Sequence, residues 1–175
     1  AAPPNWAWND WIMDRQRSGA MPLDLHIHDT DFVQYLFGIP RAVYSFGAKD
    51  AAGRLVHIVT QYLYDDEKVV TAEGSWAMMP AFGFEMSFNI VLEKATLVYD
   101  CTRKPKFKIC PAEGEAFTPE VEKGDGYSLE IAHFAKLISG QNPKVVTTPE
   151  QSRDSVEIVQ AEIKSIFEDR PVSLT

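Results

Sequence analysis

The chain has 175 residues, of which 45% are apolar, 11% aromatic and 24% charged, a size and composition typical of one folded domain. Its 25 acidic and 17 basic residues leave a formal net charge of -8, the wrong sign for binding a nucleic-acid backbone. No apolar run approaches the roughly 18 residues of a membrane-spanning helix, and two cysteines are too few for a disulfide framework or a zinc site. We therefore expect a cytoplasmic protein with neither nucleic acid nor a membrane as partner.

The first 20 residues are expected to form an aromatic-rich arm that ends at the breaker pair Ser18-Gly19. Three tryptophans, Trp6, Trp8 and Trp11, lie close together in this arm. Such side chains can stack on a sugar ring or a nicotinamide, although aromatic arms more often pack on a core.

A helix is predicted over residues 21–37. Pro22 suits its first turn, apolar residues recur at helical spacing, and Gly38 follows as a stop.

The middle of the chain, residues 41–109, alternates polar and apolar side chains with turn signals at intervals typical of strands. Short connections between neighbours indicate antiparallel hairpins. One run, residues 55–64, is apolar on both faces and needs cover on both sides. The predicted strands lie near residues 41–48, 54–64, 68–77, 85–93, 95–100 and 106–110.

Two helices are predicted to close the chain, over residues 125–139 and 148–168. The second begins at a capping box, Thr148-Pro149-Glu150-Gln151, with proline at the first helical position. Its predicted buried stripe is Val156, Val159, Ile163, Ile166 and Phe167. The order of elements predicts an α+β fold, an open and predominantly antiparallel sheet of about six strands with helices on one face, in a single domain over residues 21–175.

One segment concentrates the chemistry, because residues 24–31 contain two histidines and three aspartates. In a helix, Asp24 and His28 lie one turn apart on the same face, an arrangement suited to general acid/base catalysis. In a strand, Asp24, His26 and His28 would point to one side, as in the metal site of several hydrolases. The plain alternative is a helix N-terminal turn with polar surface side chains.

No G-x-G-x-x-G motif, phosphate loop or G-x-S-x-G motif occurs in the sequence. The chain therefore has no recognisable nucleotide-binding loop of its own. His57 and His133 stand alone in a strand and a helix, where a structural role is the usual explanation.

The run from Gly19 to Asp31 contains D-x-x-x-H-x-x-D on a predicted helix, followed by Tyr35-Leu36-Phe37-Gly38. With the element order that follows, it resembles the C-terminal domain of the Gfo/Idh/MocA family, named after glucose-fructose oxidoreductase and inositol dehydrogenase. The resemblance implies part of an NAD(P)-dependent oxidoreductase that acts on a sugar, polyol or related hydroxy compound.

Matched by motif, His28 would be the acid/base for the substrate hydroxyl, and Asp24 would orient His28 or that hydroxyl. Four further residues are candidates for substrate binding: Trp8, Trp11, Asp31 and Tyr127. The resemblance places NAD or NADP on a separate Rossmann domain, so we expect this chain alone to be inactive and to bind no cofactor tightly. It also implies a homo-oligomer, a dimer or tetramer formed through the sheet.

Two other functions remain open at this point. The chain could be a stand-alone, non-catalytic ligand-binding or dimerisation module of the same fold. A metal-dependent hydrolase that uses Asp24, His26 and His28 is the lesser alternative.

Overall fold

The computed structural model describes residues 1–141 and 143–174. The helices are α1 (Arg15–Ser18), α2 (Ile27–Phe37), α3 (Gly126–Ile138) and α4 (Pro149–Glu168), with 3-10 helices at Trp8–Met13 and Pro80–Phe82 and a π-helical turn at Pro22–His26. The strands are β1 (Ala42–Lys49), β2 (Leu55–Leu63), β3 (Val70–Ser75), β4 (Ser87–Val91), β5 (Ala95–Asp100), β6 (Phe107–Pro111) and β7 (Val172–Ser173).

The chain divides into two units. The first consists of Ala1–Gly83 and Thr147–Thr175, and the second of Phe84–Val146. The first unit contains the helical segment with Asp24 and His28.

An antiparallel sheet in the order β3-β2-β1-β7 forms the centre of the first unit. Helix α4 packs on β1, and α2 packs on α4 and β3. The helices approach closely where the sheet has glycine: a Cβ at Gly47 would lie 2.9 Å from Cδ1 of Ile166. Small residues on this face therefore let the helices lie against the sheet.

Two apolar clusters lie between the helices and the sheet. One is centred on Val43, Tyr62 and Ile158. The other includes Ile12 and Met13, which belong to the segment predicted to be an arm. Residues from the first 20 thus contribute directly to the core of this unit.

The second unit contains a sheet in the order β4-β5-β6. Phe88 on β4 and Tyr99 on β5 are paired in register, and their rings stack with centroids 5.4 Å apart. Helix α3 begins at a capping box formed by Asp125 and Ser128. Its apolar stripe is exposed and consists of Tyr127, Ile131, Phe134 and Ile138.

The α+β class and the antiparallel pairing of the predicted strands are confirmed. Each predicted strand and helix is present within a few residues of its expected bounds. The grouping of strands differs from a single sheet of about six, because they pair as two sheets, of four and three strands, within the described residues. Strand β7 was not predicted, since two residues are too few for an alternating pattern.

The buried face of α4 also differs from the predicted stripe. Phe167 is exposed, whereas Ser155, Glu162 and Ser165 are buried. Each of these polar side chains has a partner on another part of the unit, which hydrophobic periodicity cannot anticipate. Within the described residues, no helix is both long and apolar enough to cross a membrane.

Candidate active site

The candidate site begins at a tight turn between α1 and the π turn. Gly19 ends α1 with a φ of 80°, and a Cβ at this position would lie 2.5 Å from Cδ1 of Leu23. Glycine is therefore required here both by backbone conformation and by space. The turn directs the chain into Pro22, which starts the helical segment.

The helix that follows starts with one π turn instead of a regular α turn. The backbone N–H of Ile27 donates to the carbonyl oxygen of Pro22, five residues earlier. Single π turns of this kind occur frequently at functional sites, because the extra residue redirects the side chains around it. Asp24 lies inside the π turn, and His28 lies in the first turn of α2.

Asp24 and His28 lie one turn apart on helical backbone, as their spacing predicts, and their acid/base role stays a prediction. Asp24 is half-buried and His28 is exposed. Burial raises the pKa of the Asp24 carboxyl, while the nearby imidazole of His28 acts in the opposite direction. The pair thus combines a carboxyl group that holds its proton more strongly than usual with an imidazole open to a ligand.

His26 lies between these two residues in the sequence but points the other way, into the protein. Its side chain is 0% exposed. Nε2 lies 3.2 Å from Oε2 of Glu162 on α4, and Nδ1 lies 3.5 Å from Oδ2 of Asp29. Glu162 is also 0% exposed, so this is an ion pair in the interior.

The polar network around Glu162 extends to the sheet. The Thr30 hydroxyl donates to Oε1 of Glu162 at 3.1 Å and lies 3.0 Å from the Tyr62 hydroxyl on β2. Burial and then the charge of Glu162 raise the pKa of Tyr62 above its ordinary value, so this phenol stays protonated. The carboxylate of Glu162 is therefore held by groups from α2 as well as by His26.

Two of the other predicted site residues belong to the first unit's interior contacts. Asp31 accepts a hydrogen bond of 2.6 Å from the hydroxyl of Ser155, which ties α2 to α4. Trp11 is partly buried against the core cluster that contains Ile12. Both side chains have a packing role in addition to the substrate-binding role predicted for them.

The remaining two predicted residues are open to solvent. Trp8 is exposed at the start of its 3-10 helix. Tyr127 is exposed at the start of α3, in the second unit. Both side chains are available for a ligand, and their role in substrate binding stays a prediction.

The metal-site alternative depends on a strand conformation that the segment does not have. On helical backbone, His26 is buried while His28 is exposed, so the two imidazoles do not point to one side. Within residues 1–141 and 143–174, no group of three or more potential ligand side chains is arranged to hold a metal ion.

Sequence reasoning missed the inward role of His26 and its partners Glu162 and Gly74. Glu162 interrupts the apolar face of α4, and Gly74 interrupts β3. A charged residue on a predicted buried stripe and a glycine inside a strand are the signals that could have indicated a buried charged contact.

These features define the class of protein: an α+β domain that places an aspartate and a histidine one turn apart on a helix beginning with a π turn. The chain belongs to the GFO/IDH/MocA C-terminal domain family, whose model matches residues 1–98. A comparison with curated protein sequences finds no match.

Solved structures share the fold. A protein from Thermotoga maritima, provisionally described as an oxidoreductase, has a TM-score of 0.79 and 18% identity, over 99% of this chain and 52% of its own. Aldose-aldose oxidoreductase from Caulobacter crescentus, in complex with glycerol, has a TM-score of 0.76 and 16% identity, over 94% of this chain and 50% of its own. Levoglucosan dehydrogenase, in complex with NADH and levoglucosan, has a TM-score of 0.75 and 15% identity, over 93% of this chain and 53% of its own. The chain thus spans about half the length of the structures that it resembles.

Proposed function

We propose that this chain is the substrate-binding, acid/base and oligomerisation domain of an NAD(P)-dependent oxidoreductase for a sugar, polyol or related hydroxy compound. The observation that carries the proposal is the pair of Asp24 and His28, with its half-buried carboxyl and exposed imidazole. Membership in the GFO/IDH/MocA C-terminal domain family supports it. The sugar and polyol ligands of levoglucosan dehydrogenase and of aldose-aldose oxidoreductase agree with this substrate class.

The pair suits the proton step of alcohol oxidation. The imidazole of His28 accepts the hydroxyl proton as the carbon–oxygen bond becomes a carbonyl, and it returns a proton in the reverse direction. Asp24 orients His28 or accepts a hydrogen bond from the substrate hydroxyl. A bound nicotinamide would accept or supply the hydride in this reaction.

The residues of this chain do not fit the cofactor's phosphates. Its sequence contains no G-x-G-x-x-G motif, the loop that brings backbone N–H groups to a pyrophosphate at a helix N-terminus. We therefore assign NAD or NADP to a part of the protein outside these residues and expect the chain alone to be inactive. Its own contribution is to bind the substrate and to move the hydroxyl proton.

The face of the first sheet that lies away from α4 is the proposed oligomer surface. Phe46 on β1 and Val59 on β2 are paired in register on this face, and the Phe46 side chain is 54% exposed. Apolar strands need cover, and a second copy of the protein would provide it by two-fold symmetry.

Replacing His28 tests the proposed function in the protein that carries its cofactor-binding part. His28→Ala should lower kcat with a hydroxy substrate about 10²- to 10⁴-fold, because the proton acceptor is lost. Cofactor affinity should change little, since the dinucleotide binds elsewhere. Turnover is followed through the absorbance of the reduced nicotinamide.

His133→Ala is the matched control, because His133 is a lone, partly buried histidine on α3. It should keep kcat within about two-fold of the unaltered protein. If His28→Ala turns over as fast as this control, the acid/base assignment is wrong. Saturable sugar binding without turnover in the unaltered protein would then favour the non-catalytic module.

A further inference from the structure

A charged contact lies in the interior directly behind the acid/base pair. His26 and Glu162 are both 0% exposed, and their closest atoms are 3.2 Å apart. Neither ring nitrogen of His26 has a partner with hydrogen-bond geometry, nor does Oε2 of Glu162. The contact is therefore held by charge attraction between two fully buried side chains.

Groups from several elements surround the His26 ring. Asp29 faces it from its own helix, and Glu162 faces it from α4. On β3 the residue next to the ring is Gly74, where a Cβ would lie 2.8 Å from Nδ1. The Tyr62 hydroxyl on β2 reaches Glu162 through Thr30. The space for the ring thus depends on a glycine, and its charge depends on two carboxylates.

A buried ion pair is a costly way to stabilise the interior of a protein. Burying two charges costs several kcal/mol of desolvation, and well-packed apolar residues of the same volume are often as stable. Burial by itself lowers the pKa of His26, but the carboxylates of Glu162 and Asp29 raise it, to about 9. At neutral pH the ring is therefore charged, and moving it away from Glu162 would leave an unpaired charge in the interior.

The backbone connects this contact to the site. His26 is the last residue of the π turn, with Asp24 two positions before it and His28 two positions after it. Side chains two positions apart on a helix point to nearly opposite sides. When His26 points into the protein, Asp24 and His28 therefore point outward. Any rotation of the turn that moves the outer pair also pulls the ring away from α4.

We propose that His26 is a positioning residue: its contact with Glu162 and its seat against Gly74 fix the π turn, and so the placement of Asp24 and His28. The catalytic part of this inference rests on the proposed function. The structural part, that the inner contact sets the outer pair, is independent of it and can be measured without turnover.

The test compares two buried polar residues of the same helix. Glu162→Gln removes the negative charge that faces His26 and keeps the volume of the Glu162 side chain. Ser165→Ala is the control, because Ser165 is also 0% exposed on α4. Its hydroxyl accepts a hydrogen bond from the Ser45 backbone N–H and donates one to the Arg170 carbonyl oxygen, away from the π turn. Both variants should lower the free energy of unfolding, so a merely structural role predicts the same outcome for both.

The first readout is the ionisation of Asp24 in the folded chain, followed by carboxyl carbon NMR. In Glu162→Gln the pKa of Asp24 should move down toward its ordinary value, because the carboxyl loses part of the burial that raises that pKa. In Ser165→Ala it should stay unchanged. Equal pKa values of Asp24 in both variants would overturn the positioning role.

The second readout is turnover in the protein with its cofactor-binding part. Glu162→Gln should lower kcat about ten-fold or more with little change in KM, since displacement of catalytic groups affects the chemical step. Gly74→Ala should act in the same direction, because its Cβ would displace the ring. If Glu162→Gln and Gly74→Ala both have the same kcat as Ser165→Ala, the inference is contradicted. If the unaltered protein has no activity, the proposed function fails, and the ionisation of Asp24 decides the positioning role.

A measurement on the unaltered chain covers the case in which Glu162→Gln does not fold. As the pH rises through about 9, His26 loses its charge. The NMR signals of the Asp24 carboxyl and the His28 ring should then change together with those of His26. Signals of Asp24 and His28 that stay constant through the titration of His26 would overturn the inference.

Discussion

The histidines of the candidate site differ in what surrounds them. His28 is exposed and open to a ligand, whereas His26, two positions earlier, is buried between two carboxylates. A buried imidazole without such partners would be neutral at pH 7, because burial disfavours the charged form. Glu162 and Asp29 reverse that preference, so the protonation of His26 becomes linked to the stability of the fold.

This linkage predicts how stability depends on pH. The pKa of His26 is about 9 in the folded protein and about 6.5 in an unfolded chain. The folded state therefore binds the proton more tightly, and the contribution of His26 is complete below about pH 6.5 and is lost as the pH rises through about 9. The loss should be on the order of 3 kcal/mol in the free energy of unfolding, measured by urea denaturation across this range.

Two variants separate the contribution of His26 from other titrations. Glu162→Gln should show a smaller decline over the same range, because one of the two carboxylates that raise the pKa is removed. Ser165→Ala should keep the full decline. A decline of equal size in both variants would show that another group is responsible.

In helix α4, neighbouring residues determine where the helix begins, whereas contacts with distant residues determine which face is buried. Its start is set locally: Gln151 N–H donates to the Thr148 side chain, and Thr148 N–H donates to Oε1 of Gln151 at 2.8 Å. Its buried face is set by partners elsewhere in the unit, such as Ser45 for Ser165. The capping box was therefore predictable from four residues, while the rotation of the helix was not.

Removing the cap should have a measurable cost. Thr148→Ala leaves the N–H group of Gln151 without its side-chain acceptor, so the free energy of unfolding should fall by about 1 kcal/mol. Thr147→Ala is the matched control, since Thr147 precedes the N-cap and should change stability by less than about 0.5 kcal/mol. Chemical denaturation measures both, and equal effects would show that the cap does not stabilise α4.

In the first unit, helices cover one face of the sheet, whereas the other face is partly open to solvent. On the covered side lie Val43 and Tyr62, which are buried. On the open side lie Phe46, with 54% of its side chain exposed, and Val59. The two-sided apolar pattern of β2 thus has cover on one side within the described residues, in agreement with the proposed oligomer surface.

A charge on the open face should prevent association. Phe46→Lys places a buried, unpaired ammonium group at the centre of the proposed interface, so the assembly should dissociate to a smaller species. Light scattering coupled to size-exclusion chromatography measures the mass. Val121→Lys, a matched change of an exposed apolar loop residue, should leave the mass unchanged. An unaltered mass for Phe46→Lys would exclude this face as the interface.

The amino-acid sequence was sufficient for the elements and for the spacing of the candidate pair. Alternation of polar and apolar residues predicted strands β1 to β6, and capping signals predicted helices α3 and α4. The sequence spacing of Asp24 and His28 predicted that they lie one helical turn apart. These features depend on residues that are neighbours in the chain, so their physical causes can be recognised in the sequence.

The tertiary structure decided the environment of that pair. The π turn, the burial of His26 against Glu162 and the seat provided by Gly74 bring together residues from distant parts of the chain. The division of the strands into two sheets and the pairing of β7 with β1 also depend on contacts between distant parts of the chain. The reason is physical: a local pattern specifies which side of an element is apolar, whereas the partner of a buried charge depends on how the elements pack.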